Sequence, residues 1–180
     1  MSKIYTPITG EEIGDVPDFS DSEVDAALDL ATQSSITWRK IPASERGRIL
    51  FKAGQIMRER ADGISKLETL NTGKRLADTK REAIRAAECF EYYGGYADKL
   101  VGTVVPVPGD FHAYTEREPY GVVVGIIPWN VPYFFAAKKI APALAFGNVS
   151  ILKPAAETPL TALKLQEILI EAGVPKGVVQ

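Results

Sequence analysis

The sequence predicts an α/β fold in which a run of helices and a β-ribbon lead into the first β-α-β-α units of a parallel sheet. Three observations carry this prediction. Residues 20–96 place apolar side chains at helical spacing, with capping residues at the ends of the runs. The segment "GVVVGII", residues 121–127, is a continuous β-branched run of the kind that forms a strand buried on both faces of a parallel sheet. Helical and strand patterns then alternate to the end of the chain, the order that right-handed crossovers between parallel strands require.

Composition bounds the possibilities. A chain of 180 residues, 46% hydrophobic and 24% charged, is long enough to bury a core. Its 21 basic and 23 acidic residues nearly cancel, so no global field recruits nucleic acid or an anionic membrane. One cysteine, Cys89, and one histidine, His112, exclude an internal disulfide and a zinc site built from His and Cys, and no metal site is expected. A reducing, cytoplasmic setting fits this usage. The opening "MSKIYTPITGEEIGDVPD" lacks the apolar core of a signal peptide, and "GVVVGIIPW" is too short and too proline-bound to cross a bilayer.

The elements follow in order. After an irregular, polar lead-in, Ser20 with Glu23 reads as a capping box for a helix that faces Val24, Ala27, Leu28 and Ala31 inward. A second helix begins near Ser44, with Ile49, Ala53, Ile56 and Met57 on one face. Asp62 reads as the cap of a third, with Ile64, Leu67 and Leu70 inward and Gly73 as its stop. A fourth runs from about Ala77 towards Tyr93, where Gly94 and Gly95 are expected to break it. "TVVPVPG" and "HAYTEREP" around a "PGD" turn form the ribbon, with Pro106 and Pro108 marking an edge. The apolar strand comes next, then a helix from Pro132 to about Phe146 with Pro142 as a kink. A second strand, "NVSILK", and a helix from Thr158 to Gly173 with Pro159 at its first position complete the pattern. The "GVVQ" tail reads as the start of a further strand. A sheet of so few parallel strands leaves apolar edges open, so the chain is expected to be a fragment of a larger fold.

Open parallel sheets bind ligands outside the carboxyl ends of their strands, which is where "PWN" sits. A side-chain amide such as that of Asn130 can there donate to an oxygen that gains negative charge during reaction. Without further context, an asparagine before Val-Pro is more often a turn or cap residue. Lys153 ends the neighbouring strand, where an ammonium can meet ribose hydroxyls or a phosphate.

The run from "REPYGVVVGIIPWN" through "K-IAPALA-GN", "LKPA" and "TPLTAL" resembles, in order and spacing, the cofactor-binding domain of the aldehyde dehydrogenase superfamily. "WRKIPASERGRIL", "LETLNTGK" and "FEYYGGYADKLVGTVVP" are similar to the same family's N-terminal helices and ribbon. The resemblance implies NAD(P)-dependent oxidation of an aldehyde to an acid through a thiohemiacetal and a thioester on a cysteine. It implies that residues 1–100 are the helical part of an incomplete, Rossmann-like cofactor domain, 101–119 the ribbon of an oligomerisation element, and 120–180 the first half of the dinucleotide-binding sheet. The catalytic domain, the nucleophile and the general base then lie outside this chain. Asn130 matches the amide that stabilises the oxyanion, and Lys139 a lysine of the active-site region. Ile126, Ile127, Pro128 and Trp129 match positions lining the cofactor, some through backbone oxygens. Lys153 matches the lysine at the adenine ribose, followed by Ala155 and Ala156.

One departure bears on the cofactor. Where NAD-preferring members often carry an acidic residue against the ribose, this chain has Ala156, with Glu157 displaced by one, so NAD and NADP both stay open. The full-length protein is expected to form a homodimer or homotetramer. The alternative is a non-catalytic truncated paralogue that acts as a cofactor-binding or oligomerisation module. Cys89, on a helix with no histidine beside it, reads as a structural thiol. The mixed charges from Lys74 to Glu88 read as a solvated helix face, and Phe90, Tyr92, Tyr93 and Tyr96 as core packing rather than a base-stacking platform.

Overall fold

The computed structural model describes residues 1–180. Strands β1 (Ser2–Tyr5) and β2 (Glu12–Val16) pair antiparallel at the N-terminus. The irregular lead-in expected from sequence is therefore a hairpin. Only Ile4 of β1 is buried, so no alternating apolar pattern announces it. Its turn closes through Gly10 at φ +79°, whose N–H donates to the Thr6 carbonyl at 2.9 Å.

Four helices follow: α1 (Asp21–Trp38), α2 (Ala43–Glu59), α3 (Ala61–Thr72) and α4 (Leu76–Tyr96). The capping box at α1 is formed as the sequence predicts, with the Ser20 hydroxyl accepting from Glu23 N and the Glu23 carboxylate accepting from Ser20 N at 2.8 Å. The inward face of α1 is narrower than expected. Ala31 and Trp38 are buried, whereas Val24 and Leu28 reach solvent. The predicted cap of α3 is also corrected: Arg60 precedes that helix, and Asp62, in its first turn, pairs with Lys80 of α4 at 2.7 Å. Its inward stripe is Ile64, Ser65, Glu68 and Asn71, with Leu70 exposed. Gly73 ends it in the left-handed region at φ +76°, as expected.

The largest helical correction concerns Gly94 and Gly95, which do not break α4. A Cβ on Gly94 would stand 2.8 Å from the Gly47 carbonyl oxygen and 3.1 Å from the Phe51 nitrogen. A Cβ on Gly47 would stand 2.4 Å from the Gly94 carbonyl oxygen. The two glycines thus let α2 and α4 cross with their backbones nearly touching, a need that outweighs the low helix propensity of glycine. Phe90, on the preceding turn, is fully buried, while Tyr92 and Tyr96 stack on one another at the surface rather than filling the core.

Strands β3 (Val104–Val105) and β4 (Ala113–Tyr114) form the expected ribbon, paired antiparallel. Strand β5 (Val122–Ile126), helix α5 (Pro132–Ala145), strand β6 (Val149–Lys153) and helix α6 (Leu160–Ala172) make the parallel unit. Pro142 lies within the last turn of α5 without ending it. Helix α6 starts two residues later than predicted, with Pro159 before its first residue and Gly173 closing it at φ +115°. The C-terminal tail adds to β6 in parallel, with Gln180 N donating to Ser150 O at 2.9 Å and Leu152 N to Gln180 O at 2.7 Å. Strand β5 is not buried on both faces as its composition suggested: Val124 and Ile126 are 57% and 70% exposed.

One core joins all six helices to β6. Helix α5 is its axis, and the last carbonyls of that helix are satisfied from the N-terminal half. Trp38 Nε1 donates to Leu144 O at 3.1 Å, and Arg46 Nε to Ala145 O at 3.2 Å. Both donors are buried, and burial lowers the pKa of Arg46 from the usual guanidinium value. A cation at the C-terminus of a helix also meets the negative end of its dipole.

The helix crossing makes a test with its own control. Gly94→Ala should destabilise the protein by about 1–3 kcal/mol in chemical denaturation, because its methyl group meets backbone that cannot yield. Gly95→Ala, whose Cβ would meet nothing within 4 Å, should be neutral or stabilising by up to about 1 kcal/mol.

Candidate active site

The parallel pairing of β5 and β6 aligns Ile126 with Lys153, and Ile127 N donates to Lys153 O at 3.1 Å. The two strands therefore end side by side. From that edge the β5–α5 loop, Ile127 to Val131, and the β6–α6 loop, Pro154 to Pro159, rise together. Asn130, Lys153, Pro128 and Trp129 are exposed there, as is Ala156, while Ala155 is half-buried. Of the apolar residues singled out from sequence, Ile126 is open to solvent and Ile127 is buried in the core. A ligand at this edge can meet the Ile126 side chain, whereas from Ile127 it can meet the main chain alone.

Lys139 stands on α5 above β5. Its stem crosses Gly125 so closely that a Cβ on that glycine would lie 3.3 Å from the lysine Cβ and 3.1 Å from Leu152 Cδ1. One turn earlier α5 carries Phe134 and Phe135, with Lys138 Nζ 5.7 and 5.8 Å from their ring centres and Arg85 of α4 over Phe134 at 5.3 Å. Cys89 is half-buried, and burial pushes its thiol up to about 11, which leaves it protonated at neutral pH. His112 lies in the ribbon, its ring tilted at 58° to that of Tyr114 with centroids 5.8 Å apart. Neither adds to the strand-end cluster. The charges of α4 pair as a solvated helix face does, Asp78 with Arg75 and Arg81, and Lys80 with Asp62.

Sequence reasoning missed what holds the two loops. The inward stripe of α3 and the residue just past its Gly73 stop send three polar side chains, at spacings of three, towards the strand ends. Glu68, 1% exposed, accepts from Tyr133 N at 3.2 Å at the start of α5 and from the Thr161 hydroxyl at 2.5 Å in the first turn of α6. Asn71, also buried, donates to Glu157 O at 2.9 Å and accepts from Leu160 N at 3.2 Å. Lys74, just past Gly73, donates to Asn130 O at 3.2 Å and pairs with Glu82 of α4. The two loops are also tied directly, Thr158 Oγ1 donating to Trp129 O at 3.2 Å. The signal in the sequence was "ETLNTGK" itself: polar residues on the inward side of a helix require partners.

Burial raises the Glu68 carboxyl pKa above its usual 4.5, while the Thr161 and Tyr133 hydrogen bonds pull the other way. Burial likewise raises the phenol pKa of the neighbouring Tyr133. The carboxylate faces the N-terminal ends of both α5 and α6, where unpaired N–H groups and the helix dipoles favour negative charge.

The aldehyde dehydrogenase family model matches residues 1–180 of this chain. The chain belongs to that family. It is 46% identical over 97% of its length to the phenylacetaldehyde dehydrogenase of Pseudomonas fluorescens, and 44% identical over 97% to 4-trimethylaminobutyraldehyde dehydrogenase A of Danio rerio. It covers 36% and 34% of those two proteins. The chain thus spans about a third of the length of the curated relatives it matches. Among solved structures, a betaine aldehyde dehydrogenase from Staphylococcus aureus in complex with NAD+ superposes with a TM-score of 0.95 at 32% identity, over 99% of this chain and 37% of that one. Matched structures of this family hold NAD in some cases and NADP in others. The fold is that of the N-terminal portion of an aldehyde dehydrogenase. No helix is long and apolar enough to cross a membrane.

Glu68 offers a stability test. Glu68→Ala leaves the Tyr133 N–H and the Thr161 hydroxyl buried without partners and should cost about 2–4 kcal/mol. Because its folded-state pKa is raised, the carboxyl favours the folded state most below about pH 4.5 and loses that contribution as pH rises through the folded-state value. Relative to the wild type, Glu68→Gln should therefore show a smaller loss of stability above that pH, measured by urea denaturation across pH 4–8.

Proposed function

We propose that this chain is the N-terminal part of an enzyme that oxidises an aldehyde to a carboxylic acid with NAD or NADP, the cysteine nucleophile and the general base being supplied by sequence outside residues 1–180. The observation that carries the reading is the paired strand edge, with Asn130 and Lys153 exposed on adjacent strand ends of an aldehyde dehydrogenase fold. Residues 1–100 and 120–180 make the cofactor domain, and 101–119 belong to an oligomerisation element of a homodimer or homotetramer. The exposed apolar face of β5, with Trp129 at 60% exposure beside it, fits a sheet that further chain completes. A cytoplasmic setting agrees with the composition.

The residues present suit a dinucleotide. Lys153 offers an ammonium to ribose hydroxyls or a phosphate, and the small side chains of Ala155 and Ala156 leave the β6–α6 loop approachable. Ile126, the Ile127 main chain, Pro128 and Trp129 supply an apolar wall. The half-buried position of Ala155 and the absence of a carboxylate at Ala156 favour neither cofactor by repulsion. When bound, the cofactor accepts the hydride of the aldehyde.

Asn130 performs the electrostatic part of the reaction. Its side-chain amide donates to the substrate oxygen as that oxygen gains negative charge on attack by the nucleophile. A donor already held in place costs no reorganisation at that moment, which is the source of its catalytic effect. Lys139 contributes positive potential from the neighbouring face of α5.

Two substitutions in the full-length enzyme separate these roles. Asn130→Ala should lower kcat for aldehyde oxidation about 10²-fold to 10³-fold with little change in cofactor affinity. Lys153→Ala should weaken NAD or NADP binding in isothermal titration while leaving the chemical step nearly unaltered once cofactor is saturating. An Asn130→Ala enzyme of full rate would remove the oxyanion role. Defined oligomers of the 180-residue chain that bind NAD or NADP by themselves would instead support the non-catalytic module.

A further inference from the structure

We propose that Lys74 is a positioning residue for Asn130, and that the Glu82–Lys74–Asn130 chain of contacts couples α4 and the exit of α3 to the oxyanion-stabilising amide. The inference rests on the reading of Asn130 given above, and deepens it.

The geometry starts at the loop. Trp129 and Asn130 are consecutive residues with non-regular backbone, and each offers its carbonyl to a different partner. Trp129 O accepts from Thr158 on the β6–α6 loop, and Asn130 O accepts from Lys74, just past the C-terminal end of α3. Two successive peptide planes are thereby fixed from two directions. Three residues beyond Asn130, Glu68 holds the Tyr133 N–H, so the loop is also pinned where it enters α5. The Asn130 side chain projects from the middle of this fixed segment into solvent. Its own amide makes no hydrogen bond within the chain, so its direction is set by its backbone and rotamer alone.

Lys74 can hold that backbone because it is itself held. Its side chain is three-quarters covered, and its ammonium is paired with the Glu82 carboxylate, whose side chain is 19% exposed. Gly73 in the left-handed region turns the chain out of α3 so that Lys74 faces the loop. A covered ammonium with a fixed counter-charge is a directional donor, and a charge-assisted hydrogen bond to a carbonyl is stronger than a neutral one. The other side chains of the clamp act elsewhere: Asn71 binds the β6–α6 loop, and Glu68 accepts from helix ends. Lys74 alone touches the residue that bears the reactive amide.

A tether that only stabilised the fold would affect Tm and leave the chemistry of the folded enzyme unchanged. A tether that aims Asn130 loses its value once the amide is gone. The test is a double-mutant cycle in the full-length enzyme, with Lys74→Met, Asn130→Ala and the double variant compared for kcat, cofactor Kd and Tm. Lys74→Met should lower kcat about tenfold at unchanged cofactor Kd, and the double variant should be no slower than Asn130→Ala. Glu82→Gln, which keeps the lysine but weakens its anchor, should lower kcat by about threefold in the wild-type background and not at all in the Asn130→Ala background. That second variant decides the matter if Lys74→Met does not fold. Multiplicative losses, or a Lys74→Met enzyme of full kcat beside a slow Asn130→Ala enzyme, would overturn the positioning role and leave the oxyanion reading standing. An Asn130→Ala enzyme of full rate would overturn both.

Discussion

The fold around the strand edge depends on one buried carboxylate. Glu68 lies between the first turns of α5 and α6, accepting from a backbone N–H of one and a hydroxyl of the other. Helix N-termini carry unpaired donors and the positive ends of their dipoles, so two of them converging on one place call for a shared acceptor. Placing that acceptor on α3 has a consequence for the whole chain. The helices that follow the two parallel strands are oriented by a helix from the N-terminal half, so both halves contribute to this edge.

Packing enforces the same dependence from the opposite end of α5. Its final carbonyls are taken by Trp38 and by the buried guanidinium of Arg46, both from the N-terminal half. Helix α5 is thus clamped at both ends by residues at least 65 positions earlier in the chain. The glycine contact between α2 and α4 brings these helices together closely enough to form one surface for α5 to lie on. Rigid support of this kind is what any reactive group carried on a loop needs, since misplacing such a group by an ångström can forfeit much of its effect.

Much of the local structure was legible in the residues. The Ser20–Glu23 capping box, the Gly73 and Gly173 stops and the β-α-β-α order are all encoded over short stretches, where propensity and hydrogen-bonding chemistry act without help from distant chain. The misreadings share one cause. Gly94 and Gly95 were taken as a break because a local rule makes glycine costly in a helix, whereas Gly94 is needed where an α2 backbone more than forty residues away passes against it. Strand β5 was read as buried on both faces because composition reports what a strand can bury, not what covers it within residues 1–180. The N-terminal hairpin buries one apolar side chain, Ile4, beside the buried Thr6 of its turn, and so leaves almost no pattern to detect.

By itself the sequence determined the class of fold, the order of its elements, and the two strand-end residues, Asn130 and Lys153, that a parallel sheet presents at its carboxyl edge. Those features depend on periodicity, caps and strand order, which are properties of neighbouring residues. Only the tertiary structure decided how that edge is held, through Glu68, Asn71 and Lys74 reaching two loops that lie 56 to 93 positions away. A hydrogen bond between distant residues leaves no spacing rule in a single sequence. A buried polar side chain shows that it needs a partner, and the fold alone shows which one.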